Sequence, residues 1–288
     1  MTRFCHFVAI DWSGAKGLRQ KGIAIACCKA GSAAPELVRP GHRWSRVEVL
    51  EWLTNDLPAE SIVGLDLAPG LPFADQQAYF PGWDKSPANA KQLWRLVDDL
   101  AGDDPHLAAT NFVAHPQVQR HFRHGKGVCG DLFERGAGRM RRTEERQRAH
   151  KLTPSSCFNL VGAAQVGKSS LTGMRVLNRL DGAIPVWPFD PVPKTGSVIV
   201  EIYTSLAARL ADIPPGRAKM RTGKALDDAL AKLGVDAHAP LDYYTDHATD
   251  AILTSAWLRT AANRPELWQP VGLSPKIAQT EGWTFGVP

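Results

Sequence analysis

Phe4-Cys-His-Phe-Val-Ala-Ile-Asp11 (FCHFVAID), followed at once by Trp12-Ser13-Gly14, decides how the chain is read. Its β-branched and aromatic residues predict a strand over Phe4–Asp11, and Trp-Ser-Gly supplies a turn. A charged residue closes an otherwise apolar run. Gly22–Cys28 (GIAIACC) reads as a second strand, and Glu36–Arg39 begins a third before Pro40-Gly41. Val47–Leu57 has apolar residues at 47, 49, 50, 53 and 57, a helical spacing. Ser61–Leu67 (SIVGLDL) is a buried-type strand stopped by Ala68-Pro69-Gly70. Strand, strand, strand, helix, strand is a mixed-sheet pattern, not strict βαβ alternation, so the expected class is α/β.

Further along, Asn89–Leu100 predicts a helix. Residues 102–160 are rich in Gly, His and Arg and follow no regular period. They are expected to form a basic insertion within a single domain spanning residues 1–288. Ala183–Lys194 holds four prolines and reads as an extended linker or arm. Ser197–Tyr203 (SVIVEIY) is a strand, Ser205–Leu210 starts a helix, and Leu226–Leu233 is a helix ended by Gly234. Tyr243–Asn263 predicts a long helix, and Trp283–Val287 a closing strand or coil.

Composition sets outer bounds. The chain has 288 residues, 44% of them apolar, and a formal charge of +5, enough for a full core. No stretch approaches the ~18 apolar residues of a membrane span. The N-terminus turns polar too early for a secretory signal. Five cysteines with no C-x-x-C pair argue against a disulfide framework or thiolate zinc site, and for a reducing cytoplasm. The charge is uneven. Between His115 and Lys151 stand ten Lys/Arg against four acids, so a local +6 sits on a nearly neutral body. Such a segment suits an anionic partner such as nucleic acid, DNA or RNA, and suits a solvated surface helix equally.

Three acids close apolar runs: Asp11 after FVAI, Asp66 in VGLD, Glu201 in VIVE. A buried lone carboxylate costs several kcal/mol unless paired or metal-bound. Open α/β sheets place their sites at the C-terminal ends of parallel strands, so neighbouring strands would bring these acids together. The long helix adds Asp246 and Asp250 at i and i+4, with His247 three residues before Asp250. Helix-dipole capping accounts for Asp246 beside Thr245, but poorly for Asp250. Carboxylates without thiolates form a hard-cation site, suited to Mg²⁺ or Mn²⁺. Two such ions ~3.5–4 Å apart clamp both oxygens of an in-line phosphodiester hydrolysis.

DWSG, GLDLAPGLP, VEIY and DHATDA, in that order, resemble the ribonuclease H-like superfamily. Within it they are most similar to a branch of predicted nucleases related to RuvC-type resolvases, often described as a domain of unknown function. The resemblance runs from Phe7 to about Arg259, plus the closing EGWTFGV. It implies antiparallel first strands and acids around two Mg²⁺ ions, with Asp11, Asp66, Glu201 and Asp250 at the acidic positions. The family's helix usually reads D-x-x-D-A, and here His247 takes the first place. His247 substitutes as a ligand, Asp246 swings in, or the site is weakened. The branch also carries an Arg-Arg-x-Glu run, which points to Arg141, Arg142 and Glu145 as substrate-binding residues, with Ser13 in the first turn.

Other readings stay open. Gly162–Ser169 (GAAQVGKS) matches the P-loop pattern of ATP-binding proteins, with Lys168 and Ser169 on phosphate. That pattern needs strand, loop and helix, and Gly173 is expected to break the helix. In a nuclease, Lys168 and Ser169 would meet a substrate phosphate instead. An actin-like ATPase has a D-x-G-[ST] turn where this chain has Asp11-Trp12-Ser13-Gly14. A non-catalytic nucleic-acid adaptor on the same fold is favoured by His247 in place of an acid.

Overall fold

The computed structural model describes residues 3–161, 165–214 and 220–288. Six strands form one mixed sheet. β1 (His6–Asp11), β2 (Ala24–Lys29) and β3 (Glu36–Leu37) are antiparallel neighbours. After α1 (Arg46–Asn55), β4 (Ser61–Leu65) pairs parallel to β1. Then come α2 (Ala90–Leu100), α3 (Thr110–Ala114), α4 (Arg142–Ala149) and α5 (Val166–Arg179). β5 (Val186–Trp187) and β6 (Val198–Glu201) complete the sheet in the order β3-β2-β1-β4-β6-β5. α6 (Thr204–Leu210), α7 (Gly223–Lys232), α8 (Asp246–Ala261), α9 (Pro265–Trp268) and α10 (Pro275–Thr280) follow.

Side-chain alternation along the strands builds two cores. Val8, Ile10, Val63, Leu65 and Ile199 face α1, α2 and α5. Phe7, Ala9, Ile62, Val198 and Val200 face α6, α7 and α8. The class is therefore α/β, a mixed sheet flanked by helices on both faces. Among the described residues, no helix is long and apolar enough to cross a membrane.

Several expectations need correction. The proline-rich stretch Ala183–Lys194 is not only an arm, because Val186–Trp187 adds a parallel edge strand to β6. α5 does not break at Gly173. It runs to Arg179, and Gly173 lets Leu67 lie where a Cβ would stand 2.2 Å from its Cδ2. Within the segment 102–160, Phe112, Val118, Phe122 and Phe158 are buried in the same cluster as β1 and β4.

Candidate active site

Asp11 closes β1, and Asp66 directly follows β4, its parallel neighbour. Ile10 is level with Leu65, so the two aspartates that come next are also level. The Asp66 N–H donates to the Ile10 carbonyl at 3.0 Å, which holds the strand ends together. By alternation both side chains project toward the face covered by α8.

α8 is clamped across β1. Ser255 Oγ donates to the Phe7 carbonyl at 2.7 Å. Thr245 caps the helix, its Oγ1 accepting from Ala248 N at 3.2 Å. His247 Nδ1 then lies 3.2 Å from Asp11 Oδ2. Gly22 leaves room for this ring, because a Cβ there would come within 3.2 Å of it. Of the outcomes left open for the helix, the structure brings His247 to Asp11. Asp246 instead meets Arg221 at 2.8 Å.

Electrostatics mark this corner. Burial raises the pKa of Asp11, opposed by the hydrogen bond and charge of His247. The Asp11 hydrogen bond in turn raises His247. Asp66 is pushed well above the usual carboxylate range, first by burial, then by the charges of Asp11, Asp250 and Glu201. The N–H of Thr204, at the start of α6, donates to its carboxylate and opposes the shift.

Glu201 departs from the expected convergence. It is level with Leu65, so alternation sends its side chain to the opposite face from Asp66. There Arg141 holds it bidentately, Nη2 to Oε1 at 2.6 Å and Nη1 to Oε2 at 2.7 Å. Thr284 Oγ1 donates to Oε1 at 2.7 Å as well. Both oxygens are thus engaged. Arg141 also donates through Nε to Glu144 Oε1 at 3.0 Å, and Cys157 Sγ donates to the same oxygen at 3.2 Å. Arg141, expected to meet substrate, is only 1% exposed and is an internal counter-ion instead.

The rest of the basic segment divides. Arg139 is buried, bound to Asp75 at 2.6 Å and to the Tyr79 carbonyl at 2.8 Å. The sequence suggests that Glu144 and Glu145 pair with Arg148. The structure instead pairs Glu144 with Arg141, and Glu145 with Arg142 in an exposed pair at 2.7 Å.

A cleft of about 210 Å³ opens beside the strand ends, lined by Trp12, Asp66, Ser169, Glu201, Arg141 and Tyr203 among others. The loop after Asp11 forms one wall. Arg46 fixes it from α1, donating to the Ser13 carbonyl at 2.9 Å and the Ala15 carbonyl at 2.5 Å. Gly14 packs so tightly on α5 that a Cβ would lie 2.4 Å from Ser169 N and 2.5 Å from Lys168 C. Gly14→Ala is therefore expected to cost about 1–3 kcal/mol in urea unfolding through overpacking against backbone. An unchanged midpoint would show that the loop moves freely.

Three of the eight P-loop positions, Gly162–Ala164, lie outside the described residues. The surrounding context does not match that motif. Among the described residues no sheet strand leads into α5, and Asn159 makes only an isolated bridge to Arg123. Glu144 was missed from sequence and gave no signal there, since its burial depends on Arg141.

Among the described residues, no group of three or more His, Cys, Asp or Glu side chains is gathered closely enough to hold a metal ion as it stands. The donors at the corner are nonetheless hard carboxylate oxygens plus one imidazole, and the strain on Asp66 is what a cation relieves. No protein-family model, characterised protein or solved structure matches the chain.

Proposed function

We propose that the protein is a divalent-metal-dependent nuclease of ribonuclease H-like fold, hydrolysing phosphodiester bonds of nucleic acid. Three antiparallel strands followed by parallel β4 and β6, in the order β3-β2-β1-β4-β6, support that fold. The observation that carries the function is Asp66. Its carboxyl is forced toward neutrality first by burial, then by the charges of Asp11, of Asp250 on α8 and of Glu201.

Asp11, Asp66, His247 and Asp250 would hold Mg²⁺ or Mn²⁺. The bound ion supplies Lewis-acid activation of the phosphodiester and of a water molecule. Asp11 and Asp66 orient from the sheet, fixed by paired strand ends. His247 and Asp250 approach from a helix tied to β1. Glu201 has no direct part, because Arg141 occupies its carboxylate and thereby holds the segment before α4 against the cleft.

Calorimetry with Mg²⁺ and Mn²⁺, and cleavage of labelled DNA and RNA, test this directly. Asp11→Asn is expected to lower cleavage about a thousandfold, the effect of losing several kcal/mol of charge stabilisation. Wild type that takes up neither ion, or an Asp11→Asn variant that cleaves as well as wild type, would overturn the assignment.

A further inference from the structure

Two lysines, Lys16 and Lys168, flank the place where the Asp11 loop touches the first turn of α5. The loop is held on both sides. The Trp12 indole N–H donates to Thr172 Oγ1 at 3.1 Å on α5, and Arg46 grips the Ser13 and Ala15 carbonyls from α1. Gly14 lies in backbone contact with Lys168 and Ser169. Lys16 follows two residues after this contact, and the charged form of Lys168 is disfavoured first by burial and then by the charge of Lys16.

Like charges held together call for an anion. Among the described residues, Lys168 Nζ reaches only the Gln165 amide oxygen, at 3.1 Å. Among the described residues, neither lysine forms an ion pair with a carboxylate. Elsewhere on this surface basic side chains do find acids, as Arg120 finds Asp131 and Arg142 finds Glu145. Ser169, next to Lys168, lines the same cleft as Asp66. Ser169 thus faces the carboxylate cleft, and Lys168 is tied to Gln165, which lines it too.

We propose that Lys16, Lys168 and Ser169 form a phosphate grip for the nucleic-acid backbone, next to the bond presented to Asp11 and Asp66. The identity of the ligand rests on the nuclease assignment, whereas the phosphate chemistry rests on the lysines themselves. A nucleoside triphosphate shares that chemistry. The backbone is favoured because, among the described residues, no strand of the sheet leads into α5, the context in which a G-K-S loop wraps a nucleotide. Lys16 is also exposed on the rim, open to a long polymer.

The test is a binding titration of labelled single-stranded and duplex oligonucleotides, DNA and RNA, in chelator without divalent ions, at several salt concentrations. A parallel arm uses Mg²⁺–ATP. Lys16→Gln and Lys168→Gln should each weaken oligonucleotide binding several-fold. Each should lower the slope of log affinity against log salt by about 0.7–0.9. Lys168→Arg should keep most of that slope, and thermal melts should match wild type. A double variant with wild-type affinity and slope overturns the grip. So does wild type that binds no oligonucleotide, or that binds ATP tightly and loses it in Lys168→Gln. Wild type that binds oligonucleotides through both lysines yet cleaves none with Mg²⁺ or Mn²⁺ leaves the grip standing and removes the nuclease assignment.

Discussion

Asp66→Asn is expected to abolish ion uptake and strand cleavage while making the metal-free protein more heat-stable. In the folded chain Asp66 is buried and repelled by three other acids, so its pKa lies well above the unfolded value. A group raised in this way stabilises the fold at low pH. That contribution is lost as pH climbs from about 4 through the raised value. At pH 7 the wild-type carboxylate is thus a liability, and the amide is not. Asn still accepts the Thr204 N–H, so the loop after β4 keeps its anchor. A gain of roughly 2–4 °C in Tm is expected at pH 7, shrinking toward pH 4. Cleavage should fall about a thousandfold or more. Calorimetry and melting curves across pH check both halves. A lower Tm at pH 7, or cleavage equal to wild type, would contradict the role given to Asp66.

The second large effect concerns stability alone. Arg141→Met leaves Glu201 and Glu144 buried, 5% and 2% exposed, without their shared guanidinium. Breaking one side of a buried ion pair costs about 3–5 kcal/mol, since the remaining charge has neither water nor partner. The loss should appear as a large drop in the urea midpoint at pH 7. It should shrink as pH falls and the stranded Glu144 carboxyl, which burial already raises and Arg141 no longer opposes, takes up a proton. Adding Glu201→Gln to Arg141→Met should recover part of the loss. An unchanged midpoint in the single variant would mean that water reaches the cluster.

The strands that carry the site were legible because their sequences are apolar, β-rich and bounded by turns. β1 and β6 end at Asp11 and Glu201, as the sequence suggests, and β4 ends one residue before Asp66. The helix over α8 was legible from its period, although it starts at Asp246, three residues later than Tyr243, where Thr245 can cap it. Glu201 shows what sequence does not carry. An acid at the end of an apolar run looks alike on either face, and only the register with Leu65 turns it away from Asp66. The basic run misled for a related reason. Arg139 and Arg141 read as surface charge, but each has acceptors supplied from far along the chain, Asp75 and Glu201. Long-range partners convert a charged pattern into a buried one, and no local period reports that.

The tie between α8 and β1 also bears on how the molecule comes together in time. Asp11 and His247 are brought within 3.2 Å although 236 positions separate them, and β1 pairs with β4 across more than fifty. Closing such long loops before their contacts form slows folding. Nothing local assembles this corner, so a half-folded chain has no version of it. In a refolding experiment, recovery of ion uptake should trail the recovery of helical signal. Restored uptake would then mark the arrival of the whole native state rather than of any one part.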